Sequence, residues 1–244
     1  MSFAGRGVVL TRPRELAEVV ATLIERRGAR AIVFPAIEIQ PLPIPNALSR
    51  LAEYDLAVFI SPSAVRMSLT AKPPWPPRLA AAIGAGTRRE LERAGARAIV
   101  APTARADSEA LLALPEMQNV RGKRVLIVRG EGGRELLAKT LTARGAVVEH
   151  AVCYRRVKPA SDAAPLLAAW RRGEVHALVV WSAQALDNFS AMGGDELIAG
   201  LPVFVPHERI ANQARAHGAQ EVVVAAASDD QLLERLVAYF DARD

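Results

Sequence analysis

KRVLIVRGEGGRELLAKTLTARGAVVEHAVCYRRV, residues Lys123 to Val157, contains a complete strand, loop, helix and strand followed by an extended exit. Val125 to Val128 is a short, branched apolar run of the kind that suits a buried strand in a parallel sheet. Gly130 to Gly133 then supplies a turn with few steric limits. From Glu135 onward, Leu136, Leu137 and Leu141 recur at helical spacing, and Arg144-Gly145 closes the helix with a cation and a glycine. A second strand follows. The stretch is therefore a βαβ unit whose Gly-rich loop brings backbone N–H groups and a helix N-terminus to the carboxyl edge of a sheet, where anions are stabilised. That loop, with Arg129, Gly130, Gly132, Gly133 and Arg134, is the first candidate site. Arg129 to Arg134 reads R-G-E-G-G-R. It lacks the third glycine of a dinucleotide fingerprint and the lysine and hydroxyl of a P-loop.

Working outward, the start of the chain follows the same plan. Val8 to Thr11 is a strand, Arg12-Pro13-Arg14 opens a helix, Arg27-Gly28-Ala29 ends it, and Ala31 to Phe34 is the next strand. A repeat is worth testing. Tyr54 to Val65, YDLAVFISPSAV, lies without gaps on Val175 to Leu186, VHALVVWSAQAL. After each window come a further strand (Leu79 to Ile83, Leu201 to Val205), a helix ending in Ala94-Gly95-Ala96 or His217-Gly218-Ala219, and another strand. Both halves finish on an acidic helix start, Asp107-Ser108-Glu109 and Ser228-Asp229-Asp230. The chain reads as two copies of one α/β plan.

A length of 244 residues, 51% apolar, allows one large or two modest domains and leaves no difficulty in building a core. There is neither a basic segment leading into an apolar signal core nor an uninterrupted run long enough to span a bilayer, so a cytoplasmic protein without membrane contact is expected. The lone Cys153 excludes an internal disulfide framework and a cysteine-based metal cluster, and its apolar strand makes it a packed thiol. The net charge of +5 comes from arginines scattered over helix faces and ends, and three tyrosines and three tryptophans offer little surface for stacking bases. No nucleic-acid partner is indicated. The mild positive balance suits an acidic small molecule.

Two further stretches bear on the layout. Residues 37–45, IEIQPLPIP, and 151–159, AVCYRRVKP, are alternating extended segments that both end in proline. Paired as a ladder, they would join one lobe built from residues 46–150 to another combining the N-terminal βαβ with everything after 160. A simple tandem of the two repeats fits the periodicity equally well. Pro73-Pro74-Trp75-Pro76-Pro77 marks a loop of polyproline character, read as an ordinary surface connection rather than a proline-motif ligand.

These residues carry a family resemblance. Thr11-Arg12-Pro13 after a strand, FPAIEI at 34–39, FISPSAV at 59–65, AIGAGT at 82–87, LIVRGEGGRELL at 126–137, YRR at 154–156, WSAQALDNF at 181–189 and VPHERIA at 205–211 occur in this order along the whole chain. The sequence resembles the uroporphyrinogen-III synthase family of the bacterial tetrapyrrole pathway. The resemblance implies an α/β protein of two Rossmann-like or flavodoxin-like lobes with parallel sheets, joined by a two-stranded antiparallel linker. In that layout residues 1–36 plus 160–244 form one domain, 46–150 the other, 37–45 and 151–159 the linker strands, and the active site is the cleft between the lobes. The implied activity is cyclisation of hydroxymethylbilane with inversion of its last ring and loss of water. No cofactor or metal is implied. A monomer is expected, with a transient contact to hydroxymethylbilane synthase as a further partner.

The implied chemistry asks the protein to assist departure of hydroxide and to hold a flexible polycarboxylate so that only the ring-inverting route is reachable. Tyr154 matches the tyrosine proposed in the family as proton donor; read from position alone, its hydroxyl would simply face water. For the carboxylates, the loops after predicted strands supply helix N-termini. They are Thr11 and Arg12, Ser61 to Ser63, Gly84, Gly86 and Thr87, the Arg129 to Arg134 loop, Ser182-Ala183, and His207 to Arg209. Helix capping, worth about 1 kcal/mol each, is the ordinary role of such Ser and Thr residues. Ser63 stands where the family often has asparagine, and His207 where relatives have serine or threonine. His150, His176 and His217 have no metal-ligand spacing. A bilobal binding module that closes on a small molecule without chemistry is the rival; it would be attached to a DNA-binding or signalling segment, and none is expected here. A glycosyltransferase would need a metal-binding acidic motif, which is not found.

Overall fold

A computed structural model describes residues 3–103, 107–225 and 228–243. In chain order its elements are β1 (Gly7–Leu10), α1 (Arg14–Glu25), β2 (Arg30–Val33), β3 (Glu38–Pro41), α2 (Asn46–Ser49), β4 (Leu56–Phe59), α3 (Pro62–Leu69), β5 (Ala80–Ala82), α4 (Ala85–Arg93), β6 (Ile99–Val100), α5 (Ser108–Leu112), α6 (Pro115–Gln118), β7 (Arg124–Gly130), α7 (Leu136–Ala143), β8 (Val147–Val157), α8 (Ala164–Arg171), β9 (Ala177–Val179), α9 (Ala183–Phe189), α10 (Asp195–Gly200), β10 (Val203–Val205), α11 (Glu208–Ala216), β11 (Val222–Val224) and α12 (Asp229–Asp241). Two compact units result, Met1–Glu38 with Val157–Asp244, and Ile39–Arg156. Among the described residues no helix is long and apolar enough to cross a membrane.

In the first unit a five-stranded sheet runs β11-β10-β9-β1-β2, with parallel pairs throughout. Central β1, GVVL, is buried at every position, as a strand must be when helices cover both faces. On one face α1 presents Ala17, Val20, Ala21 and Ile24, spaced so that they share one side of a 3.6-residue helix. They pack with Val8, Leu10, Leu236 and Phe240 in a single cluster.

Beside β1, Gly7 and His176 exchange two bonds. The Gly7 N–H donates to Nδ1 of His176 at 3.0 Å, and the His176 N–H donates to the Gly7 carbonyl at 2.8 Å. Nδ1 can accept only if the ring is neutral. Burial, followed by the charges of Arg6 and Arg30, lowers the imidazole pKa below its ordinary 6.5. A base with a depressed folded-state pKa contributes stability above its unfolded pKa and loses it as pH falls through the folded value. Denaturation midpoints are therefore expected to hold steady above pH 6.5 and to decline on acidification below it. His176→Asn, which places a carbonyl where Nδ1 sits, is expected to flatten that decline. Equal acid slopes for both proteins would remove His176 from the account.

The second unit repeats the arrangement in a six-stranded sheet, β3-β8-β7-β4-β5-β6. Its β8-β7-β4-β5-β6 portion matches β2-β1-β9-β10-β11, which is the doubly wound order in which ligands bind at the carboxyl edge. Alternation along the strands divides the core. Ala57 and Phe59 face a cluster with Leu48, Val65, Leu91 and Leu126, while Leu56 and Val58 face Leu111, Met117, Ile127 and Leu141.

Two details differ from the sequence expectation. The cut at residue 151 has no counterpart, because β8 is a single strand whose parallel register with β7 continues from Val147 to Tyr154 and shifts once, between Arg129 and Gly130. No glycine or proline interrupts 147–157 to end the strand. The proline-rich loop is also more than a surface connection. Trp75 turns inward, donates through Nε1 to the Ala94 carbonyl at 2.6 Å and meets the Phe59 ring edge-on at 5.8 Å.

Candidate functional site

In the second unit, the carboxyl ends of β4, β5 and β7 carry the loops singled out from the sequence. Ser61 caps α3, its Oγ accepting from the Ala64 N–H at 3.0 Å, and Pro62 follows as the first helical residue, where its fixed φ suits a helix start. Ser63 lies in that first turn, half-buried. Gly84 caps α4 through its extended backbone; Gly86 is exposed and Thr87 is buried. The two helices are tied by a fork-to-fork pair, Arg66 Nε to Glu90 Oε1 at 2.8 Å and Nη2 to Oε2 at 3.0 Å.

Tyr154 arrives at this edge from β8. Its side chain is 1% exposed, and its Oη lies 2.8 Å from Ser61 Oγ. Its hydroxyl is thus enclosed against Ser61, unlike the water-facing hydroxyl that position alone would give. Gly130, directly opposite on β7, makes room for the ring: a Cβ there would stand 2.6 Å from Cε2 and Cζ of Tyr154. The Glu131 N–H donates to the Tyr154 carbonyl at 2.7 Å, so backbone and side chain are both held.

The Gly-rich loop does something other than what its composition suggested. Arg129 is 6% exposed and turns into the loop, donating to Glu135 Oε1 at 2.7 Å and to the Gly132 carbonyl. Gly132 and Gly133 have φ of +70° and +92°, in the left-handed region that glycine enters freely, and a Cβ on Gly133 would stand 3.2 Å from Arg129 Nη2. These glycines wrap a guanidinium and do not open a phosphate-type cradle. α7 begins only at Leu136, with no side-chain cap at Glu135. The hydrogen bond from Arg129, with its charge, holds the Glu135 carboxyl below the ordinary carboxylate range. Arg134 is exposed and pairs with Glu109 at 2.5 Å, a bond that keeps the Glu109 carboxyl low. Between these groups lies a cavity of about 290 Å³ walled by Ile60, Ile83, Ile127 and Leu137, with Arg129 and Arg134 among its polar lining.

In the first unit the corresponding edge belongs to β1, β9 and β10. Thr11 is fully buried and its hydroxyl donates to the Val179 carbonyl at 2.9 Å. Its side chain thus ties β1 to β9 and does not present a donor to a ligand, which corrects its place among the binding residues. Arg12 is paired as well, Nη1 donating to Asp229 Oδ1 at 2.7 Å, with its guanidinium 4.1 Å above the Trp181 ring. Ser182 caps α9 through the Ala185 N–H at 3.2 Å, and Ala183 opens that helix. His207 stands at the start of α11 without capping it through its ring, and both His207 and Arg209 are exposed.

Trp181 and Asp229 are not among the candidate residues read from the sequence, although each carries a signal: Trp181 directly precedes Ser182 at the point equivalent to Ile60, and Asp229 belongs to the acidic helix start shared by both repeats. The two units share a device here. Arg12 after β1 grips the start of α12, and Arg134 after β7 grips α5. Cys153 is buried, and burial pushes its thiol up to about 11, the state of an inert packed cysteine.

The uroporphyrinogen-III synthase HemD family matches residues 18–234. The sequence is 36% identical over 242 residues to the uroporphyrinogen-III synthase of Escherichia coli K12, covering 93% of this chain and 98% of that one, and 36% identical over the same coverage to that of Salmonella typhimurium LT2. In fold it is similar to a mutant uroporphyrinogen III synthase from the extremely thermophilic bacterium Thermus thermophilus, at TM-score 0.59 and 21% identity over 98% of each chain. It is also similar to the uroporphyrinogen-III synthetase of Helicobacter pylori 26695, at 0.63 and 15% over 96% of this chain and 99% of that one. With a match of this extent over the strands and loops just described, the chain belongs to the uroporphyrinogen-III synthase family.

Proposed function

We propose that this protein cyclises hydroxymethylbilane to uroporphyrinogen III, inverting the last ring and releasing water, and so acts as a cyclising hydro-lyase. The observation that carries the proposal is the family match along the chain, at 36% identity over 98% of the Escherichia coli enzyme. Loss of the terminal hydroxyl leaves an azafulvene; attack by the substituted carbon of the last ring gives a spiro intermediate, which fragments and recloses with that ring turned over. The electrophile also closes unaided, to the uninverted isomer. The protein must therefore favour one folded arrangement of the substrate and help hydroxide leave.

Positioning draws on the carboxyl-edge loops. The Ser61 and Gly84 helix starts present N–H groups suited to carboxylates, and the apolar cavity with Arg134 at its edge suits a pyrrole ring bearing acidic arms. Tyr154, with its hydroxyl on Ser61, is the candidate source of the proton that hydroxide needs. A cytoplasmic monomer that takes its short-lived substrate from hydroxymethylbilane synthase through a transient contact is part of the same proposal.

The test is to generate hydroxymethylbilane in situ, add the protein, oxidise the products and separate the isomers. A shift from isomer I to isomer III is expected. Isomer I alone from folded protein would leave a binding module without chemistry.

A further inference from the structure

The bond between Ser61 and Tyr154 has a direction that the surroundings fix. Tyr154 is 1% exposed, and among the described residues Ser61 Oγ is the partner its hydroxyl has, at 2.8 Å. A buried phenol proton left without an acceptor is costly. If Ser61 donated, that proton would be stranded, so Tyr154 donates and Ser61 accepts. Ser61 Oγ also accepts from the Ala64 N–H at 3.0 Å. A hydroxyl oxygen has two lone pairs and one proton. Both lone pairs of Ser61 are therefore engaged, and its own proton is what it has left to offer. Ser61 is half-buried whereas Tyr154 is enclosed, so the serine is the outward end of the pair.

From this geometry we propose that Ser61, and not Tyr154, is the group that hands the proton to the departing hydroxyl, with Tyr154 acting behind it as a positioning and recharging residue. The inference rests on the synthase activity proposed above. In the step, the C–O bond of the hydroxymethyl group breaks and its electron pair leaves with oxygen. That oxygen takes the Ser61 proton and departs as water, while Ser61 takes the Tyr154 proton. The proton released when the last pyrrole carbon regains aromaticity after reclosure returns along the same path to Tyr154, so no outside acid or base is consumed. The chain of two hydroxyls lets an enclosed phenol act on a substrate it does not touch.

A helix cap alone would give Ser61 a purely structural role, and the test separates the two. Ser61→Asn keeps a side-chain oxygen for the Ala64 N–H, asparagine being as good a cap as serine, but it has no hydroxyl to pass a proton. Relative to wild type in the hydroxymethylbilane assay, its kcat is expected to fall about tenfold to a hundredfold, below the full range for a general acid because positioning of the substrate supplies much of the acceleration, with KM little changed. Ser61→Thr is expected to retain activity. The double variant Ser61→Asn with Tyr154→Phe is expected to be no slower than either single one, because both break one path. Wild-type kcat in folded Ser61→Asn, or losses that multiply in the double variant, would overturn the relay while leaving the synthase reading intact. A proton inventory of the wild-type rate in mixed light and heavy water needs no substitution: a curved plot is expected, and a linear one would mean a single proton in flight and no relay. Wild-type protein that yields isomer I alone would instead remove the activity on which the relay depends.

Discussion

Gly130→Ala is expected to destabilise the protein by about 2–3 kcal/mol, toward the upper end of what overpacking costs, and to lower turnover at least as far as removing the Tyr154 hydroxyl does. The new Cβ would meet Cε2 and Cζ of Tyr154 at 2.6 Å and Cδ2 at 3.1 Å. An aromatic ring cannot bend away from such a contact as the tip of a lysine can. This one is fixed at the Ser61 end and through its own carbonyl by the Glu131 N–H. Either the strands part at their register shift or the ring swings off Ser61, and each outcome damages the site. Urea denaturation and the initial rate measured on one preparation check both halves of the expectation. A variant with wild-type midpoint and rate would mean that the ring has slack the packing does not show.

Tyr154→Phe should separate chemistry from packing. Phenylalanine fills the same space beside Gly130, so the loss is confined to one hydroxyl and one hydrogen bond, about 1 kcal/mol of stability. Turnover is expected to fall about tenfold to a hundredfold, below the full range for a general acid, because holding the substrate in the ring-inverting arrangement supplies much of the acceleration. Product formed by the variant should still be largely isomer III. Wild-type turnover in the folded variant would take the phenol out of the mechanism, and a switch to isomer I would show that its hydroxyl shapes the substrate as well.

Much of the architecture is legible in the sequence because it is local. The gap-free likeness of Tyr54–Val65 to Val175–Leu186 places β4 with α3 and β9 with α9 at equivalent points of the two sheets, since apolar runs bounded by serine and helix starters report strand and cap directly. What the sequence did not disclose depends on pairing across distance. Ser61 and Tyr154 are 93 positions apart and meet only because β7 separates their strands in a fixed parallel register. Thr11 reads as a helix-start donor, but its hydroxyl is taken by β9, 168 positions away. In the loop after β7 the glycines read as an anion turn, although Arg129 beside them already fills the space such an anion would need. Composition reports freedom of the backbone, not the group that uses it.

The unit Ile39–Arg156 is one unbroken length of chain, whereas its counterpart is assembled from two. On a ribosome this orders events. β1 and β2 emerge ahead of the inserted unit, as a pair still missing β9, the strand that closes the other side of β1, and Arg12 emerges 217 residues ahead of Asp229. The whole inserted unit is synthesised, and can fold, before Ala177–Val179 exists to complete that sheet. For that interval Val8 and Leu10, which end fully buried, are apolar strand residues with an open edge. Helix α12, also made after the inserted unit, brings Leu236 and Phe240 to the same cluster, so strands that leave the ribosome ahead of that unit are finished only behind it.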